Sequence, residues 1–499
     1  MSPPPAAPTA VPSTSVKAVA PASGSAAFPA SGNAAFPAFG NAAFPAGGQA
    51  AAPASGNAAV PASGSAAVPA FGSAAFPASG KPAAPASGNA AVPAFGNAAP
   101  PQPRPPASPL PGPPLAPPPA APLVCMVSAA HPATDLRVVG KQGAALVAAG
   151  WRVRHLCPAQ PGAPAWHQGV AIQGFPRARG WRGRVLGIPA LARLAAASGA
   201  AVLHAHEPDS WVAALLAARR SGARVVLDVH EHYPSRLDPH LPAVLRPAAR
   251  AALRLFCRWA ARRADAVVLA KDGLAADFPA RRLLPVRNYA APSAIPPRQH
   301  GPGPLTLLHL GALGRSRGWP QMLDALALAP PGTRLRLVGR FTDGSEPAFH
   351  ARAATLGLSE RITTTPWLPH AEAMAEATGA DIGLVLFQPG AANHTLALPH
   401  KLFDCMLAGL PVIAPAFATE VAGIIRAAGC GELVETASAP AIAAAIARLA
   451  SPARRQAQGQ AGRAAALGPF GWPAEAERLV DLYRFLAPLP AGMAAASGL

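Results

Sequence analysis

The chain has 499 residues, a formal net charge of +19 and a sequence pI near 11.2. It contains no uninterrupted apolar run long enough to span a bilayer, and its start, MSPPPAAPTAVPS, lacks the basic and apolar regions of a secretory signal. The positive excess favours anionic partners such as nucleotide phosphates, nucleic acid or acidic lipid, although Arg far outnumbers Lys and compositional bias also produces that pattern.

Residues 1–122 hold no Asp or Glu and only Lys17, Lys81 and Arg104, so nearly all of the excess charge lies beyond them. From Ala22 to about Pro101 an eight-residue unit recurs, as in ASGSAAFP, ASGNAAFP and ASGNAAVP. Packed repeats usually need about 20–50 residues to supply a burying face. Each Pro here also removes an amide donor and fixes φ, so neither helix nor sheet propagates. The expectation is a disordered, partly polyproline tail over 1–122. A partner-binding arm that displays its periodic Phe is the weaker reading.

From 123 onward, apolar strand-like runs alternate with helical stretches. LVCMVSAA (123–130), RVRHLCP (152–158), VLHAHE (202–207), RVVLDVHE (224–231) and AVVLA (266–270) read as strands. VVGKQGAALVAAG (138–150) reads as a helix. SWVAALLAARRSG reads as another, with Asp209 as N-cap and Gly222 as stop. The Pro-rich segment 290–304 has linker composition. The alternation then restarts at LTLLHLG (305–311), RLRLVGR (334–340), ITTTPW (362–367), IGLVLFQ (382–388) and PVIAP (411–415), and WPAEAERLVDLYRFL (472–486) reads as a last helix. Fully apolar strands alternating with helices imply parallel sheets covered on both faces. The fold class expected is α/β, two doubly wound domains in tandem facing across a cleft, with ligands at the carboxyl ends of the strands.

The candidate chemistry lies at those ends. The first strand runs into His131, Asp135 and Arg137, one later strand into His204, His206 and Glu207, and the next into His230, Glu231 and His232. His230 is the candidate for facing the cleft, and His204 reads as a hydrogen-bonded core residue. Because side chains alternate along a strand, these clusters are not expected to converge on a metal ion, and no metal site is expected. In the second half, the loop GALGRSRGW (311–319) opens a helix with Arg315 and Arg317, an anion-binding arrangement shared with solvated loops of any basic chain. ALPHKLFDCMLAG (397–409) places Lys401 and Asp404 three residues apart on one side of a helix whose N-terminus also favours an anion; an exposed Lys–Asp pair of little worth is the alternative. The five cysteines are scattered without metal-ligand spacing and read as reduced core thiols of a cytoplasmic protein.

LPHKLFDCMLAGLPVIAP resembles the signature of family 4 glycosyltransferases, and HLGALGRSRGW their phosphate loop. Asp135-Leu-Arg137-Val, LHAHEPDSW, VLDVHEHYP and LLPVRNYAAP (283–292) follow the same family's segments in order, so the resemblance covers about 123–487. It implies a GT-B fold with an acceptor domain over 123–295, a nucleotide-sugar domain over 296–471 and a segment 472–499 whose helix returns to the first domain. It implies a retaining transferase that needs no metal and no cofactor beyond a UDP- or GDP-linked donor. In that reading Asp404 binds the donor ribose, Arg317 and Lys401 hold the diphosphate with Arg315 in support, Asn393 to Leu398 line the sugar, and His230 stands at the reaction centre. The sequence departs from the pattern at Ala312, where the family has a second Arg, and at Leu396, where it has a sugar-contacting Glu.

The partners expected are a nucleotide sugar and a glycan, polysaccharide or lipid-linked acceptor, with peripheral contact to an acidic membrane through the Arg-rich helix 243–265 weighed against simple packing on the sheet. No specific nucleic-acid binding is expected, since no aromatic pattern interleaves the basic residues. The competing reading is a degenerate scaffold whose repeat tail recruits partners.

Overall fold

The computed structural model describes residues 120–177, 180–291 and 293–490. The expected repeat tail, apart from residues 120–122, lies outside the described residues, as does 491–499.

Two parallel α/β sheets carry the structure. The first contains β1 (Leu123–Val127), β2 (Arg152–Pro158), β3 (Trp166–His167), β4 (Val170–Phe175), β5 (Val202–Ala205), β6 (Arg224–Val229), β7 (Ala266–Leu269) and β8 (Leu283–Pro285), in the spatial order β3-β4-β2-β1-β5-β6-β7-β8. Only the β3–β4 pairing is antiparallel. The second contains β9 (Thr306–Leu313), β10 (Arg334–Phe341), β11 (Ile362–Thr365), β12 (Ile382–Leu384), β13 (Val412–Pro415) and β14 (Gly431–Val434), in the order β11-β10-β9-β12-β13-β14. In each sheet the order reverses beside the first strand, which opens a crevice at the carboxyl ends.

The unbroken apolar strands are explained by their two covered faces. Leu123, Cys125 and Val127 enter one core, whereas Val124 and Met126 enter the opposite one. Each side chain of that size contributes about 1.5–3 kcal/mol when fully buried. On β6, Val225, Leu227 and Val229 join the first core and Val226 the second. Asp228 lies on the Val226 side and is fully buried, a charge where the pattern asks for a hydrophobe.

The helix Trp472–Leu486 places Trp472, Leu479, Val480, Leu482 and Tyr483 in the core of the first sheet, although it follows the second in sequence. Trp151 Nε1 donates to Ala487 O at 2.9 Å. All five cysteines are buried and unpaired.

Several details differ from the sequence expectations. Residues Val138–Gly143 form a π-helical turn before the short α-helix Ala144–Ala148. The helix Pro208–Ser221 is capped by Glu207 rather than Asp209: the Glu207 N–H donates to Ser210 Oγ at 2.8 Å, and Asp209 pairs with Arg184. Gly222 does end that helix in the left-handed conformation, φ 73°. The strand expected over 382–388 is regular only through Leu384.

Candidate active site

The first wall of the cleft is built at the carboxyl rim of β1, β5 and β6. Asp228, at the end of β6, accepts from Arg137 Nη2 at 2.8 Å and Nε at 3.1 Å, from Gln142 Nε2 at 2.9 Å, and lies 3.3 Å from His206 Nδ1 and 2.9 Å from His230 Nε2. Burial opposes its charge, but Arg137 and then His230 outweigh that and hold the carboxyl well below its ordinary range. His131 sits between two acids, with Nδ1 3.0 Å from Asp135 and Nε2 3.5 Å from Glu207. Burial disfavours its charged form, yet Asp135 and Glu207 prevail and raise it to about 9, so it is an imidazolium at neutral pH. Glu207 is fixed in turn by the N–H groups of Ala129, Ala130 and His131.

Alternation misleads for His204 and His206. They are two apart and share a face, and their rings stack at 4.8 Å. With Asp228 they form a buried group whose ligand atoms lie within 4.8 Å of one another, contrary to the expectation that these clusters do not converge. The Asp228 oxygens and both histidine Nδ1 atoms are held in a hydrogen-bonded network, while the Nε2 atoms of His204 and His206 are buried without a partner. Both Asp228 oxygens accept from Arg137, and His204 Nδ1 lies 2.8 Å from the Tyr483 hydroxyl. The His204 reading as a hydrogen-bonded core residue agrees with this contact.

The second wall starts at the end of β9. Gly318 turns the chain at φ 82°, and a Cβ there would lie 2.5 Å from Leu386 O, so glycine alone lets the loop rest on the segment after β12. That seats Arg317 with its guanidinium 4.7 Å from the Phe387 ring. Burial lowers the Arg317 pKa, with Glu231 of the facing domain pulling it back up. Arg315 diverges: it is exposed, its guanidinium lies 5.0 Å from the Trp319 ring and its N–H donates to Asp343 Oδ2. Lys401 and Asp404, on the helix His400–Leu407, do not pair with each other. Lys401 Nζ donates to His309 Nε2 at 3.0 Å, and Asp404 Oδ1 lies 2.9 Å from His370 Nε2. Burial, reinforced by Arg317, pushes Lys401 down to about 7.

Four contacts bring the walls together. The His232 N–H donates to Asn393 Oδ1 at 2.7 Å. Lys141 Nζ donates to Tyr289 O at 2.5 Å and to His400 Nδ1 at 3.2 Å, and burial lowers it to about 7. Glu420 Oε1 accepts from the Gly273 N–H at 2.9 Å. Leu396 packs on the core of the first domain, where a Cβ on Gly273 would lie 2.6 Å from its Cδ2. Asn393 is therefore engaged across the cleft, and Leu398 is buried among core residues of the second domain. His230, Arg317, Lys401 and Asp404 line the cleft walls, whereas Arg315 points its side chain to Trp319.

Sequence reasoning missed Lys141, Lys271, His309 and His370. Lys271 lies two residues beyond the end of β7, is buried, and is lowered by that burial to about 8 against the pull of Glu231 and Glu420. A lysine just beyond an apolar strand, and the polar pair Lys141-Gln142 inside an apolar helical run, were the available signals.

The fold is GT-B, and two family matches that together span most of the chain place it in the GT-B glycosyltransferase superfamily. Residues 136–292 match the glycosyl transferase 4-like domain and residues 294–465 the glycosyl transferases group 1 domain, so the two matches meet at the linker. No curated protein sequence matches the chain. Among solved structures it is similar to sucrose-phosphate synthase from Thermosynechococcus elongatus, with a TM-score of 0.58 and 20% identity over 73% of this chain and 99% of that one. It is also similar to Anabaena HepE in complex with UDP, with a TM-score of 0.53 and 15% identity over 73% of this chain and all of that one. A glycosyltransferase from Rickettsia africae gives 0.54 and 12% over 73% and 98%. At these identities the likeness concerns the fold.

Proposed function

We propose that the protein is a retaining, metal-independent glycosyltransferase of family 4, moving a sugar from a UDP- or GDP-linked donor to a glycan, polysaccharide or lipid-linked acceptor. The observation that carries this reading is the pair Arg317 and Lys401. Both are half-buried basic side chains at the rim of the second sheet whose charged forms burial disfavours, and no described carboxylate lies within ion-pairing distance of either. A diphosphate would supply the missing charge, and as the bond to the sugar breaks the same cations would offset the charge growing on the leaving nucleotide. Asp404, held by His370, would accept the donor ribose hydroxyls. His230, at the carboxyl rim of β6 in the first domain, is the residue we assign to the reaction centre. HepE, a structural neighbour, was solved with UDP-glucose, which supports a nucleotide-sugar donor.

Residues 123–295 then serve the acceptor, 296–471 the donor, and the helix within 472–499 braces the first domain. Asn393 joins the domains, and the chain from Asn393 to Leu398 offers its backbone to the sugar. Arg315 supports the diphosphate only by turning away from Trp319. Among the described residues no helix is long and apolar enough to cross a membrane. Exposed Val244 and Leu245 in the turn before the helix Arg246–Arg263, and Leu255 among its arginines, support peripheral contact with an acidic membrane from the cytoplasmic side.

The test is nucleotide release by the purified chain across UDP- and GDP-sugars. Release with one donor, lost in Asp404→Ala, is expected; no binding and no release with any donor would leave the degenerate scaffold as the better description.

A further inference from the structure

The side chain of Asp228 is fully buried, yet four other side chains converge on its two oxygens. Arg137 bonds both oxygens, so the carboxylate is ionised and can only accept. Every nitrogen that faces it must therefore carry a proton. His230 presents Nε2 to Asp228 Oδ2 at 2.9 Å. Its ring must be protonated there, and in the neutral form Nδ1 becomes the ring's acceptor.

The surroundings reinforce this assignment. The His230 ring lies 4.8 Å from that of His131, which is already held as a cation by Asp135 and Glu207, and 5.6 Å from that of His206. His206 turns its own Nδ1 to the same Asp228 oxygen, and His204 stacks behind it against Tyr483. The groups around His230 are thus His131 and Asp135 from the loop after β1, Arg137 and Gln142 from the start and body of the π-helical turn, His204 on β5 with His206 just beyond it, and Asp228 on β6, the strand that His230 follows. The packing also leaves the ring edge open to solvent, since the His230 side chain is 15% exposed while Asp228 is wholly covered.

We propose that Asp228, clamped by Arg137 and Gln142, is the positioning residue of the transfer reaction, fixing His230 as the Nε2-protonated ring whose Nδ1 accepts a hydrogen bond from a sugar hydroxyl in the cleft. The proposal rests on the assignment of His230 to the reaction centre. No proton or electron is transferred to Asp228; it orients the ring and selects the tautomer. An amide at position 228 can present its NH2 to His230 and would reverse that selection, turning the available nitrogen from acceptor to donor.

The experiment uses the full chain and its best donor and acceptor. Asp228→Asn is expected to lower kcat by about 10²-fold or more while nucleotide affinity changes less than about 3-fold. The pH dependence of kcat should shift in the same variant. Adding Asp228→Asn to His230→Ala should cost almost nothing further, because the two act as a unit. Wild-type kcat and pH profile in Asp228→Asn, with activity lost in His230→Ala, would overturn the proposal alone. Wild-type activity in His230→Ala would instead remove His230 from the reaction. Nitrogen-15 NMR of the histidine-labelled wild-type chain at pH 8, with His230 assigned through His230→Gln, reads the tautomer without activity and without a variant that must tolerate the lost charge. Protonation on Nε2 alone is expected; a proton on Nδ1, in either charge state, overturns the proposal.

Discussion

The two walls of the cleft handle charge in opposite ways. On the first, every acid has its cation: Asp228 has Arg137, and Asp135 and Glu207 share His131. On the second, Arg317 and Lys401 are drawn out of water beside neutral partners, His309 and Phe387. A neutralised wall holds its own geometry whether or not a ligand is present. A wall with surplus positive charge is poised for an anion that comes from outside. The first wall is thus organised for orientation and the second for binding.

The largest effect that could break this comparison is on stability. Arg137→Leu leaves Asp228 buried without its cation and should cost about 3–5 kcal/mol in denaturant unfolding. Arg317→Leu should leave stability unchanged or slightly raised, since it removes a desolvated charge that makes no ion pair, with only the longer-range pull of Glu231 in its favour. Equal losses in the two variants would erase the distinction. On binding the order reverses. Arg317→Ala should weaken nucleotide diphosphate binding by about 1.5–3 kcal/mol, the scale of a hydrogen bond to a charged group, whereas His131→Gln should leave it unchanged; calorimetric titration measures both.

A smaller effect concerns His131. Its folded pKa is raised, so its stabilising contribution is complete below about 6.5 and is lost as pH rises through about 9. The stability difference between wild type and His131→Gln should be on the order of 2 kcal/mol at pH 6 and close to zero at pH 10. A difference that does not change with pH would mean that His131 is uncharged. The smallest effect is on protons. Lys401 and Lys141 are lowered to about 7, so near pH 8 they are largely neutral in the free protein. A diphosphate bound at Lys401 favours its ammonium form, so binding should take up protons and affinity should fall as pH rises above 7. Titration in buffers of different ionisation enthalpy measures the uptake; zero uptake at pH 8 would contradict the account of this lysine.

The fold was legible where both faces of a strand are buried, because LVCMV admits no other economical reading. It was not legible in VAIQGF or GELV, which are short and only partly covered. Their place in the sheets comes from pairing with β2 and β13. Within the site, Lys401 and Asp404 could be set on one side of a helix from spacing alone. Their partners could not: His309 and His370 belong to elements 92 and 34 residues away in sequence. The same applies to Asn393, whose side chain is taken by the backbone of His232 in the other domain. At Leu396 the structure supplies a physical role that the sequence pattern lacked, since a hydrophobe there packs against Gly273 across the cleft where a carboxylate was expected. The convergence of His204 and His206 was missed for a simpler reason: residues two apart on a strand share a face.

The central claim is that the surplus charge of the second wall receives the diphosphate of a sugar donor. The most direct measurement is nucleotide release from a panel of UDP- and GDP-sugars by the wild-type chain and by Arg317→Ala, side by side. The account predicts release with one donor class and its loss in the variant. Release that Arg317→Ala leaves untouched, or no binding of any nucleotide to the wild type, would contradict it.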